Sequence, residues 1–526
     1  MMTADATCEV ESGYNIKRIC DYPTKVRWKQ IYSESPPDYR FLDFLEELYP
    51  EEYVHVKQYH RSHGGAIAVA KSLSLFNKPK LKWSSLTLYE QEDFDKAVDN
   101  VKEFFLRIPE KSRVRPLHHW NASGSNSGFP HLRPRNEIRD EILAEAARLS
   151  YHIRHTASRF EDILTPPVIP FVKAVPTPVD KLSTRGVWGF PAVISCLESM
   201  FASDLYAMIF KYKDLCQLPI CIGKGGFSKA RSFITSVRPG EALFVRDYVK
   251  GDANQSSWRI RAAFKVLESM IDFTKYDGHL LSLDEQEDNR KLWSYVQWYF
   301  INTPFVFLDV LYRKQAGIPS GSMFTMLVWI MLNLIDSCYL IRRTEFSACS
   351  SKRLVAGGDD GAVIVQPQKT NLDDAKHILF LVGAIIHGPP KTGFYVFPEN
   401  FGARLLSTRF LTPLGLTRDL TDLLSRVAYP SRWCRSREES VMRAIYLALS
   451  VARQNPRMNE IATEYLVWRP VHMKSSLTMD DTMRKYFRYV LRNDHILDLA
   501  DPRRNLWHLV EVFGDIALWN SVACCL

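Results

Sequence analysis

The chain has 526 residues, long enough for several subdomains around one large shared core. Its 68 lysines and arginines against 59 aspartates and glutamates leave a net charge of +9, which suits a polyanionic partner and equally a basic enzyme whose charge acts only on solubility. Ten cysteines without a CxxC pair argue against a zinc ribbon and a secreted disulfide scaffold, and point to a reducing compartment.

In chain order, Met1 to about Tyr22 carries acids and no apolar core, so it reads as neither a signal peptide nor a transit peptide. The first hundred residues mix aromatic and charged positions with breaks at Pro36-Pro37 and Pro79, which predicts an extension wrapped on a core. From Arg113 to Arg139 basic residues interleave with His118, His119, Trp120 and Phe129, a composition shared by nucleic-acid channels and by solvated basic surfaces. A helix is expected over Glu137–Phe160. The prolines at 166, 167, 170, 176 and 178 then prevent regular helix until about Lys181.

Further on, Met270-Ile-Asp-Phe-Thr-Lys-Tyr-Asp277 places Asp272 and Asp277 where a strand gives way to a helix. Gly317-Ile-Pro-Ser-Gly-Ser-Met-Phe-Thr325 is a Gly/Ser turn running into an apolar helix that carries Asn333. Its Ser320 and Asn333 supply hydroxyl and amide groups, and Gly321 permits close backbone approach to a ligand or merely shapes a loop and helix cap. The run Met323 to Ile341 is interrupted by Thr325, Asn333 and Asp336, so it reads as a buried helix rather than a membrane span.

Leu354-Val-Ala-Gly-Gly-Asp-Asp-Gly-Ala-Val-Ile-Val365 joins two β-prone runs through a Gly/Asp turn and predicts a β-hairpin. Adjacent carboxylates at a hairpin tip repel unless a cation relieves them, so Asp359 and Asp360 imply an oxygen-preferring divalent metal, the alternative being a plain Asp/Gly turn. The pairs Asp373-Asp374 and Asp480-Asp481 instead precede helical patterns and suit the helix dipole. If Asp272 ends a strand beside the hairpin, three carboxylates converge, a set suited to two metal ions about 4 Å apart; taken alone, Asp272 reads as a solvated strand end. Near the carboxyl end, Ser436-Arg-Glu-Glu439 has capping-box form, opens an amphipathic helix and is closed by Asn455-Pro456. The remainder reads as mostly helical.

In this order the segments resemble the RNA-dependent RNA polymerases of small double-stranded RNA viruses, the partitivirus and cryspovirus group, with picobirnaviruses more distant. Asp272 to Asp277 resembles palm motif A, Ser320 through Asn333 motif B, and Gly358-Asp359-Asp360 motif C. Ser127-Gly-Phe-Pro130 is similar to the template-entry motif G, and Lys181 with Thr184-Arg-Gly-Val-Trp-Gly189 to the nucleotide-entry motif F. His387-Gly-Pro-Pro-Lys391 resembles the motif D loop, and Arg409-Phe-Leu-Thr-Pro-Leu-Gly415 motif E, although Thr412 stands where the family has Gly.

The resemblance implies an α+β right hand with an antiparallel palm sheet flanked by helices. Residues 1–111 would bridge fingers and thumb and close the active site. Fingers would span 112–265, a palm 266–420 with an insertion near 282–312, and a helical thumb 421–526. It implies Asp272 and Asp359 as metal ligands with Asp360 assisting, and Mg2+ or Mn2+ as the ion. Lys181 and Arg185 would meet the triphosphate, with Lys173 and Arg231 as alternatives. Asp277, Ser320 and Asn333 would meet the ribose 2′ hydroxyl, with Gly321 and Thr325 in the same nucleotide-binding loop. Ser127, Gly128 and Pro130 would line the template path, and Lys391 would protonate pyrophosphate unless it is a plain surface charge. Implied partners are template and product RNA, rNTPs and a capsid protein, and the implied setting is a virus particle and the host cytoplasm. A reverse transcriptase fits less well, since Tyr-x-Asp-Asp and an aromatic at position 277 are missing. A catalytically silent RNA-binding protein of the same fold would not need the three carboxylates.

Overall fold

The computed structural model describes residues 15–24, 37–62, 65–173, 175–180, 185–222, 226–405, 408–411, 415–430, 437–451 and 455–468. Helices alternate with short strands throughout, an α+β arrangement. Among the described residues the strands gather into six small sheets, the largest of four strands.

That sheet is antiparallel and runs in the spatial order Leu354–Gly357, Asp360–Val365, Ala242–Arg246, Gly393–Val396. The expected hairpin is therefore its first two strands. Both faces are covered, which is why its strands read as continuous apolar runs rather than as alternating patterns. Leu243, Val245, Val355, Ala362 and Ile364 pack on one side with Ala230, Phe233 and Ile234 of the helix Gly226–Thr235. Phe244, Leu354, Ala356, Val363 and Val365 face the main core on the other side, where the helix Thr325–Glu345 lies.

Thr325–Glu345 is buried on every side from Leu327 to Ile341 and packs against the helices Leu88–Phe105 and Ser257–Ser269. It and Ala192–Tyr212 are long and apolar enough to cross a membrane, yet 83% and 72% of their apolar windows are buried inside the fold. Local signals place many of the helix starts. Thr87 and Glu90 form a reciprocal capping box at Leu88–Phe105, and Ser282 and Glu285 do the same for Leu283–Ile301.

A second core joins the two ends of the described chain. Phe41 and Phe44 of the helix Tyr39–Leu48 pack on Tyr465 and Trp468, beside the helices Leu420–Ala428 and Arg437–Val451. Trp468 donates to Glu47 at 3.0 Å, and Arg457 pairs with Glu52 at 2.7 Å. Upstream, Ile16–Asp21 adds a third strand to the hairpin Pro304–Phe307/Val310–Lys314, and Tyr59–Arg61 pairs with Pro176–Pro178.

Several expectations shift in detail. The helix expected over Glu137–Phe160 spans Arg139–His155. The proline-rich stretch contains a strand, Ile169–Lys173, paired with Arg185–Gly189; Pro170 is tolerated because this sheet has only two strands, both edges. The helix expected to close at Asn455-Pro456 spans Arg437–Val451, and the pair instead opens the next helix, Pro456–Val467, with the Asn455 side chain accepting from Met458 N–H. The acids Asp373 and Asp374 open the helix Leu372–Leu381 as read, with Asn371 capping both amides. Lys181, Thr184, Ser436 and Asp480-Asp481 lie outside the described residues.

Candidate active site

Gly358 and Asp359 make the two-residue turn of the hairpin, and Gly357 pairs with Asp360. Gly358 has φ +77°, in the left-handed region that such turns require and glycine adopts freely. Asp360 thus begins the returning strand. Its neighbour is Ala242–Arg246, with Gly361 opposite Arg246 in an antiparallel register. One residue beyond that pair lie Asp360 on one strand and Asp247 on the other.

From Asp247 the chain turns through Tyr248 and Lys250 into the short helix Gly251–Asn254, which carries Asp252. The Asp252 carboxylate accepts from Ser320 Oγ at 2.5 Å and from Trp329 Nε1 at 2.8 Å, while its backbone carbonyl accepts from Ile318 N–H at 2.7 Å. The loop before Gly393–Val396 closes the other side. His387 N–H donates to the Asp247 carbonyl at 2.9 Å, and Asp247 N–H donates to Thr392 Oγ1 at 3.2 Å. These bonds aim Lys391 at the carboxylate, with Nζ 3.8 Å from Asp247 Oδ2 and 3.3 Å from His387 Nε2. Partial burial, with Lys391 adding to it, holds the His387 imidazole below its ordinary pKa, so it is neutral near pH 7.

Asp247, Asp252, Asp359 and Asp360 line one cavity of about 500 Å³ together with Lys250, His387, Lys391, Ser72, Phe76 and Gly186. Its size suits a nucleotide-sized ligand. As the side chains stand, no three acidic, histidine or cysteine groups among the described residues form a ready-made ligand cluster. The donors that share the cavity are nevertheless carboxylate oxygens, the type that hard divalent cations prefer.

A buried polar network supports this arrangement from below. Arg246, 1% exposed, donates to Tyr248 Oη, Asn333 Oδ1 at 3.1 Å, the Asn333 carbonyl and Ser337 Oγ at 2.6 Å, all neutral acceptors. Asn333 Nδ2 donates to the Gly358 carbonyl at 2.6 Å and so pins the turn. Tyr248 Oη donates to Asp336 at 2.6 Å, and Asp336 is held bidentately by Arg259 at 2.8 Å, both fully buried.

The Ser320–Thr325 loop is fixed separately. The Ser320 carbonyl accepts from Trp188 N–H at 2.8 Å, and at Gly321, φ +146°, a Cβ would collide with the Trp188 carbonyl. Thr325 Oγ1 donates to the Pro319 carbonyl at 2.8 Å. Glu198, wholly buried, accepts from Ser322 Oγ at 2.5 Å and from Met323 N–H at 2.9 Å. Burial pushes its carboxyl up to about 7.

Of the expected site residues, the structure therefore brings Asp359, Asp360 and Lys391 to one cavity, with Ser320 joined to it through Asp252. Asn333 is fully buried behind the hairpin, bonded to Gly358 and Arg246 rather than facing the cavity. Ser127, Gly128 and Pro130 form a loop with a cis Phe129-Pro130 bond; Ser127 accepts from Ala192 N–H at 2.7 Å, and Gly128 lies against the Phe190 carbonyl. Arg185 opens a strand whose next residue, Gly186, lines the cavity.

Asp272 and Asp277 are the correction. Asp272 lies on Ile271–Tyr276, in a different sheet from the hairpin, paired with Ser112–Val114 and His279–Leu280. Its carboxylate accepts from Thr274 N–H at 3.0 Å and Thr274 Oγ1 at 2.5 Å. Asp277 and Gly278, φ +49° and +85°, are an Asp-Gly hairpin turn, not the start of a helix. The strand beside the Asp359-Asp360 turn ends in Asp247 instead. A signal for it was present: the Pro239-Gly240 turn followed by Glu-Ala-Leu-Phe-Val-Arg, then Asp247 and Asp252 at the same five-residue spacing. Trp329 and Glu198 had no local signal, because their polar partners lie 77 and 124 residues away.

Residues 74–458 match the family model described as viral RNA-dependent RNA polymerase. The RNA-directed RNA polymerase of Cryptosporidium parvum virus 1 (strain KSU-1) is 28% identical over 167 residues, 31% of this chain and 28% of that protein. The aligned stretch thus spans less than a third of the relative's length. Because the family model spans most of the chain and contains every element of the cavity beyond Ser72, the chain belongs to the viral RNA-dependent RNA polymerases.

Proposed function

We propose that this chain joins ribonucleotides on an RNA template, with chemistry at the cavity bounded by Asp247, Asp359 and Asp360. The observation that carries the reading is the strand order: the Asp359-Asp360 turn and the strand ending in Asp247 are neighbours, so three carboxylates line the same cavity. Asp247 and Asp359, with Asp360 assisting, would hold Mg2+ or Mn2+, which when bound neutralises charge on the attacking 3′ oxygen and the leaving pyrophosphate. Asp247 takes the place that Asp272 had on sequence grounds.

The chain's own groups then position substrate. Asp252, oriented by Ser320, accepts the hydrogen bond of the ribose hydroxyl at the cavity wall. Lys391 lines the same cavity and suits a developing negative charge on pyrophosphate, either by donating a proton or as a fixed cation. Arg185, adjacent to Gly186 of the cavity wall, and Lys181 would meet the triphosphate, and the Ser127–Pro130 loop would guide the template. Gly321 by its backbone, and Thr325 and Asn333 by side-chain bonds to the Pro319 and Gly358 carbonyls, shape the site rather than touch the sugar.

In this reading the four-stranded sheet with its helices is the palm, the described helices from Leu420 onward are the thumb, and the described residues before 62 tie the thumb core to the rest, as their packing against both supports. Replication and transcription of a double-stranded RNA genome, in a particle with capsid protein and in host cytoplasm, complete the proposal by family likeness.

The test is incorporation of labelled rNTPs on single-stranded RNA with Mg2+ or Mn2+. The expected result is template-dependent product that falls by about 10³-fold in Asp359→Ala/Asp360→Ala, which must remain folded. RNA binding without incorporation by either protein, on primed and unprimed templates, would contradict it in favour of a silent RNA-binding protein.

A further inference from the structure

We propose that Trp329 is a positioning residue for sugar selection, acting through Asp252; this rests on the reading of Asp252 as the group that meets the ribose hydroxyl. Trp329 is 3% exposed, and its indole N–H is spent on Asp252 Oδ1 at 2.8 Å. A buried indole donor needs an acceptor, and a carboxylate makes that bond a strong, charge-assisted one. Ser320 holds the other oxygen, Oδ2, at 2.5 Å.

The two donors come from one continuous piece of chain, the loop that begins at Gly317 and the helix Thr325–Glu345 that it enters. They fix both the position and the plane of the carboxylate relative to that helix. A carboxylate has about four acceptor positions, and these two donors, one on each oxygen, orient the group.

The ring itself has little freedom. It packs on Tyr248 with centroids 5.2 Å apart, and Gly251 leaves the space it fills, since a Cβ there would come within 2.8 Å of the indole Cη2. The Asp252 carbonyl is tied in turn to Ile318 N–H at 2.7 Å. The indole is thus rigid at one end and bonded to a cavity-lining acid at the other. Preorganising a hydrogen-bonding group in this way removes the cost of ordering it when substrate arrives.

The consequence is selective. A dNTP lacks the hydroxyl that Asp252 would accept from, so loss of Asp252 alignment lowers the efficiency of rNTP use and leaves dNTP use unchanged. A purely structural role for the tryptophan would lower both together.

The experiment measures kcat/KM for matched rNTP and dNTP incorporation in wild type, Trp329→Phe, Asp252→Ala, and a protein in which Trp329 is replaced by β-(3-benzothienyl)alanine, which keeps the ring's shape and exchanges N–H for sulfur. Melting temperatures of all four are compared. The expected result is a fall of about tenfold in rNTP efficiency with the benzothienyl analogue, with dNTP efficiency unchanged and a similar selective loss in Asp252→Ala. If Asp252→Ala is selective and the analogue is not, the Trp329 proposal is overturned and the sugar reading stands. If Asp252→Ala lowers rNTP and dNTP use equally, the sugar reading fails and the proposal falls with it.

Discussion

Two pairs of aspartates in this chain share a spacing and differ in everything that matters to chemistry. Asp247/Asp252 and Asp272/Asp277 each stand five residues apart at the end of a short apolar strand. The first strand lies in the sheet that carries Asp359 and Asp360, and its acids face a cavity over a buried network of Arg246, Asn333, Asp336 and Arg259. The second strand lies in another sheet, with Asp277 exposed in a hairpin turn and Asp272 bonded to its own strand neighbour. Carboxylate spacing along a chain therefore says little until the strand beside it is known.

The comparison sharpens through substitutions in the supporting residues. The largest stability loss is expected for Asp336→Asn, which leaves Arg259 buried beside a neutral partner; urea unfolding should show a loss of about 3–5 kcal/mol, and incorporation should fall with it. Glu198 comes next. Its folded pKa of about 7 lies above the ordinary 4.5, so its contribution is whole below pH 4.5 and lost as pH rises through 7. Unfolding free energy should fall across that window by up to about 3 kcal/mol more in wild type than in Glu198→Gln. A wild type and variant with parallel pH profiles would show that the buried carboxyl is not raised.

Gly361→Ala drives a methyl into Asn333 Oδ1 and to 3.0 Å from Arg246 Nη2; it should cost about 1–3 kcal/mol and disturb the Asp359 turn, visible as reduced incorporation. The smallest effect belongs to the other pair. Asp272→Ala removes bonds to Thr274 at a partly exposed position and should cost about 1 kcal/mol or less. A loss several times larger would mean that the second sheet supports the site in a way the present geometry does not contain.

What could be read in advance follows the range of the interactions. The Leu354–Val365 hairpin was legible because its turn is two residues long and its strands are adjacent. The Thr325–Glu345 helix was legible as buried because its apolar face goes all the way round. The neighbour of the hairpin was not, because Ala242–Arg246 pairs with residues more than a hundred positions away, and two candidate strands offered the same Asp-x4-Asp ending. The Asp277-Gly278 dipeptide, a hairpin-turn signature, distinguishes them locally. Asn333 had the chemistry of a sugar ligand, but the helix phase that buries it depends on packing under Gly358 and Gly361.

The most direct test of which pair serves the site compares Asp247→Asn with Asp272→Asn in rNTP incorporation on single-stranded RNA, both confirmed folded. The account predicts a loss of about 10³-fold or more for Asp247→Asn and a rate within about threefold of wild type for Asp272→Asn. An inactive Asp272→Asn beside an active Asp247→Asn would contradict it.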